Sequence, residues 1–284
     1  MNVLFIADEG PANAWLIREV ERQQHIRAII RPDWNVPRPP GSAAPTPVVT
    51  STVATVTATT RLVSRLRRHY FAAADRGVPA RLAQLLFPDA PLPEPAAAVI
   101  TVPAWQINSV QTQATIRALE PDLIVVSGAP ILKPAIFDLP RLGTVNLHFG
   151  ISPNYRGMHT LITPWQAADY AHVGATLHHV TEGIDDGAVL FRVYPELTRD
   201  DDPLSAEAKI VRLSAEVLCN FLRQLSARDA ATCAPGRTFG ASGRLVRFND
   251  RSIREHVRYR LRRMAGARAP AQPARIETFY DDIG

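Results

Sequence analysis

The chain has 284 residues, a hydrophobic share of 46% and a formal net charge of +5 at pH 7. This length suits one large domain or two small ones, and the mixed composition is typical of a soluble globular protein. No apolar run approaches the roughly 18 residues that a membrane span needs, and the first residues lack the basic start of a secretory signal. We therefore expect a cytoplasmic protein without a membrane partner. Cys219 and Cys233 are too few to predict a disulfide framework or a zinc site.

The amino-terminal residues predict alternating strands and helices. An apolar run over 2–7 is followed by a helical pattern over 12–23 and by a second apolar run over 26–30. This order predicts parallel strands in an α/β sheet. The first turn holds one glycine, Gly10, where a dinucleotide-binding fingerprint needs three, so a Rossmann-like shape is predicted without a nicotinamide site.

Residues 31–95 are interpreted as an insertion. The part over 31–58 is rich in Pro, Ser and Thr and predicts a long irregular loop, whereas 59–87 predicts a helix that is interrupted near Gly77. We interpret the insertion as an element that determines specificity or as a contact for the second subunit of a homodimer. An excursion without a role is the equal alternative.

The middle of the chain predicts a strand over 97–102, a helix that begins at Asn108 as its N-cap, and a buried strand over 123–126. The last of these is continuously apolar, which is typical of a central strand covered on both faces. The next strand is polar: apolar residues in 145–149 alternate with Asn146 and His148. An amide and an imidazole are therefore predicted to lie side by side on one face.

A turn-rich run over 152–157 follows this polar strand, and residues 174–187 form a second strand that ends in an acidic loop. His178 lies on the second strand, and the loop offers two carboxylates, Asp185 and Asp186. An amide donor, an imidazole and a carboxylate are the groups needed to move an acyl group onto an amine.

The carboxy-terminal part is rich in arginine between residues 237 and 263. A solvated helix face and a phosphate-binding surface both remain open for this charge. The further predicted elements are a helix over 159–170, strands over 175–180 and 188–193, an amphipathic helix over 204–225 that is capped by residues 200–203, a hairpin over 237–248, a basic helix over 253–264 and a partly disordered linker over 266–273.

Three of these segments resemble the folate-dependent formyltransferase family, which includes glycinamide ribonucleotide, methionyl-tRNA and sugar N-formyltransferases. The segments are Asn146-Leu-His148, Ser152-Pro-Asn-Tyr-Arg-Gly157 and Ile184-Asp-Asp-Gly187. The resemblance implies an α/β fold with a Rossmann-like, predominantly parallel twisted sheet, helices on both faces and a small C-terminal extension. On this basis the chain divides into a catalytic domain (1–227), a basic extension (228–265) and a tail (266–284).

The resemblance also implies the reaction, which transfers a formyl group from N10-formyltetrahydrofolate to a primary amine without a metal. Asn146 would donate to the tetrahedral oxyanion, His148 would donate or pass a proton, and Asp185, preferred over Asp186, would hold His148 or a water and accept the proton of the amine. The other implied residues are Ile131, Leu132, Gly183 and Ile184 at the folate, and Pro153, Tyr155, Arg156, Gly157 and His178 at the loop and substrate.

The possible acceptors are ranked by whether the segments outside the resemblance have the length that each class of enzyme needs. Methionyl-tRNA formyltransferases add a carboxy-terminal barrel for which too little chain follows Leu225, and the insertion disfavours the minimal purine enzyme. We rank a nucleotide-linked amino sugar or similar small amine first, glycinamide ribonucleotide second and tRNA third, so a nucleic-acid partner is not expected. A folate-binding protein without turnover is the non-enzyme alternative, and hydrolysis of the formyl folate is a further one.

Overall fold

An eight-stranded sheet of order β10-β8-β7-β5-β4-β1-β2-β3 forms the centre of the molecule. The computed structural model describes residues 1–40, 58–227, 232–240, 243–247 and 250–280. The strands in chain order are β1 (Val3–Ala7), β2 (Ile26–Asp33), β3 (Val99–Pro103), β4 (Leu123–Ser127), β5 (Thr144–His148), β6 (Tyr155–Gly157), β7 (Ala175–His179), β8 (Val189–Tyr194), β9 (Arg244–Val246) and β10 (Arg275–Thr278).

The eight helices of the described chain lie mainly on the two faces of this sheet. They are α1 (Pro11–Glu21), α2 (Ala58–Ala74), α3 (Val78–Leu86), α4 (Val110–Leu119), α5 (Pro134–Phe137), α6 (Ile162–Ala167), α7 (Pro203–Ala227) and α8 (Ile253–Met264). None of these described helices is both long and apolar enough to cross a bilayer.

One half of the sheet is parallel and the other is antiparallel. Strands β3, β2, β1, β4 and β5 pair in parallel, whereas β7, β8 and β10 continue the sheet with antiparallel pairs. Every residue of β1 and β4 is buried, as continuous apolar runs predict for central strands. The predicted fold class, a mostly parallel α/β sheet covered on both faces, is confirmed.

Two hydrophobic clusters cover the two faces of the sheet. The first joins α1, α6 and α7 to Phe5, Val125 and Leu147 on one face. The second joins α4 and α5 to Ile6, Ile124 and other residues on the opposite face. Since successive side chains of a strand alternate between faces, the central strands β1, β2 and β4 contribute to both clusters.

Helix α7 confirms the amphipathic helix predicted over 204–225. Its start is capped as the sequence predicts, because the Asp202 Oδ1 atom accepts hydrogen bonds of 2.9 Å from the backbone amides of Leu204 and Ser205. Its buried residues include Ile210, Leu218 and Leu222.

The insertion contains two helices with the predicted break between them. Gly77 stands at a φ of 79° between α2 and α3, a conformation that glycine adopts without strain. Helix α3 packs against α7 through Leu82 and Leu86. The loop predicted over 31–58 begins later than expected, since β2 continues to Asp33; residues 41–57 of that prediction lie outside the described residues.

Two predicted helix positions are corrected. Ser109, not Asn108, caps α4, because the Ser109 side chain accepts from the Thr112 amide. Asn108 bonds instead to the loop after β4. The helix predicted over 159–170 is reduced to α6, which ends where Ala168 adopts a φ of 61°.

The hairpin predicted over 237–248 is wrong in its pairing, because β9 pairs in parallel with β6 of the turn-rich run. The basic helix predicted over 253–264 is confirmed as α8. The stretch 266–273, expected to be partly disordered, is tied to the body by two backbone hydrogen bonds of 2.9 Å between Leu197 and Gln272. The tail then adds β10 to the edge of the central sheet. The division into three domains stays a prediction.

Candidate active site

A cluster of four polar side chains lies across β5, β7 and the loop that follows β7. Asn146 and His148 point to the same face of β5, as their alternation predicts, and Asn146 is paired with His178 of β7. The Asp185 carboxylate reaches all three: it lies 3.1 Å from Asn146 Nδ2, 3.4 Å from His148 Nδ1 and 3.4 Å from His178 Nε2. We call Asn146, His148, His178 and Asp185 the polar cluster.

The backbone directs Asp185 into this cluster. Asp185 has a φ of 47°, a left-handed conformation that aspartate tolerates better than most residues. Its Oδ2 atom also accepts a 2.7 Å hydrogen bond from the Gly157 amide. Asp186 is held within its own loop, where its Oδ1 atom accepts a 2.6 Å hydrogen bond from the Thr181 hydroxyl. The geometry therefore brings Asp185, and not Asp186, to the polar strand.

The Asp185 carboxylate is ionised at neutral pH. Burial alone would raise its pKa, but His148, His178 and the Gly157 amide together hold the pKa of Asp185 well below its usual range. The side chain is only 12% exposed, so little water screens this negative charge. The Asp185 carboxylate is therefore a hydrogen-bond acceptor for the neighbouring side chains of the cluster.

The protonation of His148 is set by two partners. Its Nε2 atom lies 3.1 Å from the Tyr155 carbonyl oxygen, and because a carbonyl only accepts, Nε2 carries a hydrogen. Burial lowers the pKa of His148 below its usual value, and the Asp185 charge opposes this. In the neutral imidazole the Nδ1 atom is thus an unprotonated nitrogen that faces Asp185.

Asn146 and His178 share a hydrogen bond in the same cluster. The Nδ1 atom of His178 donates to the His179 carbonyl oxygen at 2.8 Å, which leaves Nε2 to accept from Asn146 Nδ2 at 3.2 Å. Since the Asp185 carboxylate takes the second hydrogen of that amide, both N–H bonds of Asn146 are used within the cluster. A substrate oxygen must replace one of these two acceptors.

The loop after β4 lies beside the cluster because Val126 of β4 is paired with Asn146. Ile131 in this loop is 69% exposed, whereas Leu132 is buried in the core. Asn108 braces the loop: its Nδ2 atom donates to the Ile131 carbonyl at 2.9 Å, and its Oδ1 atom accepts from the Lys133 amide at 2.7 Å. One backbone acceptor of the segment expected at the folate is therefore already bonded.

The remaining predicted residues of the 152–157 run lie next to the polar cluster. Pro153 follows a cis peptide bond, and the Tyr155 hydroxyl donates to Asp169 at 2.8 Å. The Arg156 guanidinium donates to the Ile184 carbonyl at 3.4 Å, which joins this run to the acidic loop. Gly157 has a φ of 91°, and a Cβ there would lie 2.2 Å from the Val246 carbonyl oxygen.

The acidic loop is compact around its first glycine. A Cβ at Gly183 would lie 1.9 Å from an Asp186 carboxylate oxygen, so a larger residue requires the Asp186 side chain to shift. Ile184 is 37% exposed beside Asp185. The folate-binding roles of Ile131, Leu132, Gly183 and Ile184 stay predictions.

Sequence reasoning missed two buried polar residues next to the cluster. Thr176 is opposite His148 on β7, and its hydroxyl donates to the Gly150 carbonyl at 2.7 Å and accepts from the Ser152 amide at 3.1 Å. Arg192 lies on β8 and is 8% exposed. The signal for Arg192 was available, since a single arginine inside the apolar run of β8 requires buried partners.

A cavity of about 570 Å³ opens beyond the ends of β1 and β2 and is bordered by the insertion. Charged residues of both signs line it: Asp8, Glu9, Arg18, Glu21, Arg31 and Glu94. The Nε atom of Arg31 is buried and has no hydrogen-bond partner among the described residues. Within that same part of the chain, no group of three or more His, Cys, Asp or Glu side chains could hold a metal ion.

Residues 88–222 match the family model described as formyl transferase. The match covers 135 of the 284 residues, and over this part the chain is similar to formyltransferases. It is similar to the methionyl-tRNA formyltransferase of Halorhodospira halophila, with 32% identity over 165 residues that cover 57% of this chain and 53% of the relative. The chain thus matches about half the length of that curated relative.

Two solved structures have the same fold at low sequence identity. The phosphoribosylglycinamide formyltransferase of Anaplasma phagocytophilum is 14% identical with a TM-score of 0.51, and the match covers 87% of this chain and 97% of that one. The N-formyltransferase of Helicobacter canadensis, in a complex with folinic acid and dTDP-3-aminofucose, is 14% identical with a TM-score of 0.52, covering 89% and 73% of the two chains. The descriptions of these three proteins name methionyl-tRNA, phosphoribosylglycinamide and dTDP-3-aminofucose.

Proposed function

We propose that this chain transfers a formyl group from N10-formyltetrahydrofolate to the primary amine of a small acceptor, and that a nucleotide-linked amino sugar is the first acceptor to test. The observation that carries the proposal is the convergence of Asn146, His148 and Asp185 from two separate segments, with bonding distances of 3.1 and 3.4 Å to one carboxylate. The match of residues 88–222 to the formyl transferase model supports the same reaction.

The proposed chemistry begins when the amine nitrogen attacks the formyl carbon and the carbonyl oxygen becomes negative. Asn146 stabilises this oxyanion by turning one N–H from His178 to the oxygen, while its other N–H stays on Asp185. The loss of such a donor typically costs about 3 to 4 kcal/mol in the transition state.

Proton balance assigns the second role. The amine loses one proton, and the N10 atom gains one when its bond to the formyl carbon breaks. Neutral His148 has its unprotonated Nδ1 beside the Asp185 carboxylate, so it takes up the proton as an imidazolium paired with Asp185 and then returns it. Because the pKa of Asp185 is held so low, the carboxylate acts as the partner of His148. This differs from the role expected above, in which Asp185 accepted the proton itself.

The charged cavity supports an acceptor larger than a simple amine. Strand β4 separates β1 from β5, so the cavity begins about two strand spacings, or about 10 Å, from the polar cluster. An amino sugar at the cluster would place its nucleotide diphosphate toward Arg31, whose guanidinium group suits phosphate oxygens. The complex of the Helicobacter canadensis protein with a sugar nucleotide is consistent with this choice.

The test incubates the protein with N10-formyltetrahydrofolate and three classes of acceptor: aminodeoxysugar nucleotides, glycinamide ribonucleotide and charged initiator tRNA. We expect a mass gain of one formyl group on an amino sugar nucleotide and none with Asn146→Ala. Transfer to either of the other two acceptors alone would overturn the acceptor assignment. Folate binding without turnover would identify a binding protein, and formate release without an amine would identify a hydrolase.

A further inference from the structure

A row of four polar residues crosses the antiparallel half of the sheet from the polar cluster to its edge. His148 of β5 is paired with Thr176 of β7, Thr176 with Arg192 of β8, and Arg192 with Glu277 of β10. Paired residues of antiparallel strands lie on the same face. We call His148, Thr176, Arg192 and Glu277 the polar row.

The polar row holds both backbone groups of Ser152. The Thr176 hydroxyl accepts from the Ser152 amide at 3.1 Å, and the Arg192 guanidinium donates to the Ser152 carbonyl at 2.6 Å. Ser152 is 2% exposed, so its carbonyl has little access to water and depends on this donor. Ser152 begins the run over 152–157, which we call the 152–157 loop.

Arg192 is held on its other sides by the C-terminal part of the chain. Its guanidinium lies 3.3 Å from the Glu277 carboxylate and 3.9 Å from the centre of the Phe239 ring. A buried arginine needs partners for its charge; Glu277 and the Phe239 ring supply them, while the Nε atom has no hydrogen-bond partner among the described residues. The tail strand β10 and the segment before β9 therefore fix the orientation of a side chain that reaches the loop.

The 152–157 loop in turn supplies two backbone groups to the polar cluster. The Tyr155 carbonyl accepts from His148 Nε2 at 3.1 Å, and the Gly157 amide donates to Asp185 Oδ2 at 2.7 Å. The first contact fixes the hydrogen of His148 on Nε2, and the second stabilises the ionised carboxylate. A shift of the loop changes both contacts together.

We propose that Arg192, oriented by Glu277, is a positioning residue that holds the 152–157 loop and thereby keeps the neutral imidazole of His148 protonated on Nε2. The expected effect on turnover rests on the proposed function. The expected effect on the tautomer of His148 does not depend on it. The proposed role of Arg192 assigns a role to β10: the tail strand carries the carboxylate that completes the site from the far edge of the sheet.

The test compares Arg192→Met with a matched control, Arg275→Met. Arg275 also pairs with Glu277, at 3.5 Å, and stacks on Tyr194 of β8, but its side chain is 57% exposed and has no bond to the loop. Both variants remove an arginine from the same pair of strands and from the same carboxylate. Only Arg192→Met removes the donor to Ser152.

The first readout is the tautomer of His148, measured from the imidazole nitrogen shifts of protein labelled with ¹⁵N-histidine and assigned with His148→Gln. At a pH where the ring is neutral, we expect the Nε2–H form in the wild type and in Arg275→Met, and a mixture of both tautomers in Arg192→Met. A pure Nε2–H form in a folded Arg192→Met variant would overturn the proposal.

The second readout is turnover with the acceptor found above. A misplacement of reacting groups by about 1 Å can cost a hundredfold in rate, so we expect kcat to fall about ten- to a hundredfold in Arg192→Met with little change in KM. Arg275→Met is expected to stay within about twofold, since surface ion pairs contribute little. Equal losses in both variants would reduce Arg192 to a general stabilising role and contradict the proposal.

Two further variants keep the test decisive if Arg192→Met does not fold. Glu277→Gln leaves the arginine in place and removes its ion pair, so we expect the same tautomer change to a smaller extent. Arg192→Lys retains the charge and one donor and is expected to restore part of kcat. If the wild type transfers no formyl group to any amine, the proposed function fails, while the histidine spectra still decide whether Arg192 positions the loop.

Discussion

The five parallel strands and the three antiparallel strands of the central sheet differ in what they bury. In the parallel half, β1 and β4 are buried along their whole length and are almost entirely apolar. In the antiparallel half, Thr176, His178 and Arg192 occupy buried positions with exposures of 8% or less. Each buried polar group must bond to a partner, and these partners come from distant segments. The parallel strands β1 and β4 therefore stabilise the fold, while β5, where the two halves meet, and the antiparallel strands determine the geometry of the candidate site.

The largest expected effect is a loss of kcat on substitution of the carboxylate in the acidic loop. Asp185→Asn removes the charge that pairs with His148 and with His178. We expect kcat to fall about a thousandfold, which is about 4 kcal/mol at the transition state. The control is Asp186→Asn, whose carboxylate bonds within its own loop to Thr181; it is expected to stay within about tenfold of the wild type. A more severe loss in the control would assign the catalytic carboxylate to Asp186.

A core substitution in the parallel half should have the opposite outcome. Ile124 of β4 is fully buried, and its truncation in Ile124→Ala is expected to cost about 3 kcal/mol of unfolding free energy through lost burial and a residual cavity. Urea unfolding measures this loss, and kcat per folded molecule is expected to remain close to that of the wild type. A large drop in kcat without a loss of stability would break the division between the two halves.

A smaller effect is expected at the charged cavity. Arg31→Ala removes a guanidinium whose Nε atom is buried without a described partner. We expect KM for a nucleotide-linked acceptor to rise about tenfold, the equivalent of one charge-assisted hydrogen bond, with kcat and the KM of the folate unchanged. The same variant assayed with a free amino sugar serves as the control, because it offers no diphosphate. An unchanged KM for the nucleotide would remove this cavity from the acceptor site.

The pH dependence provides the finest test of the site where the two halves meet, since His148 lies on β5. Burial lowers the pKa of His148 below 6.5, the Asp185 charge raises it and the neighbouring His178 lowers it further. Since the proposed mechanism uses the neutral form of His148, kcat is expected to fall as the pH drops through this lowered pKa. Asp185→Asn removes the opposing charge, so the titration of His148, followed by NMR, is expected to move to lower pH. A shift to higher pH would contradict the pairing of these two residues.

Stability follows the same linkage with a defined sign. The unfolded chain takes up a proton on His148 near 6.5, whereas the folded chain takes it up only at the lower pKa. The unfolded state therefore binds more protons between these values, and the folded state loses stability as the pH falls through this window.

The elements that the sequence predicted well are those with a local signal. The apolar runs of β1 and β4, the cap and stripe of α7, and the alternation around Asn146 each depend on a few neighbouring residues. The convergence of Asp185 with Asn146, separated by 39 positions, followed from the family resemblance and had no local signal of its own.

The elements that were missed depend on pairing between distant segments. Strand β9 has three residues and pairs with β6 nearly ninety positions earlier, and no local pattern specifies that partner. Two adjacent residues, Asn108 and Ser109, are both favoured at an N-cap. The choice between them was decided by the loop after β4, which bonds to the Asn108 side chain. The partners of Arg192 also lie far away in the sequence, so no local pattern predicted them.

Strand β10 has a further consequence for the solution behaviour of the protein. All six residues of β8 are buried, so without a neighbour this strand would present a flat, apolar row of free backbone donors and acceptors to other molecules. The outer strand β10 instead ends the sheet with Arg275 and Glu277, charged residues of the kind that discourage further strand addition. A chain truncated before β10 is expected to aggregate through β8.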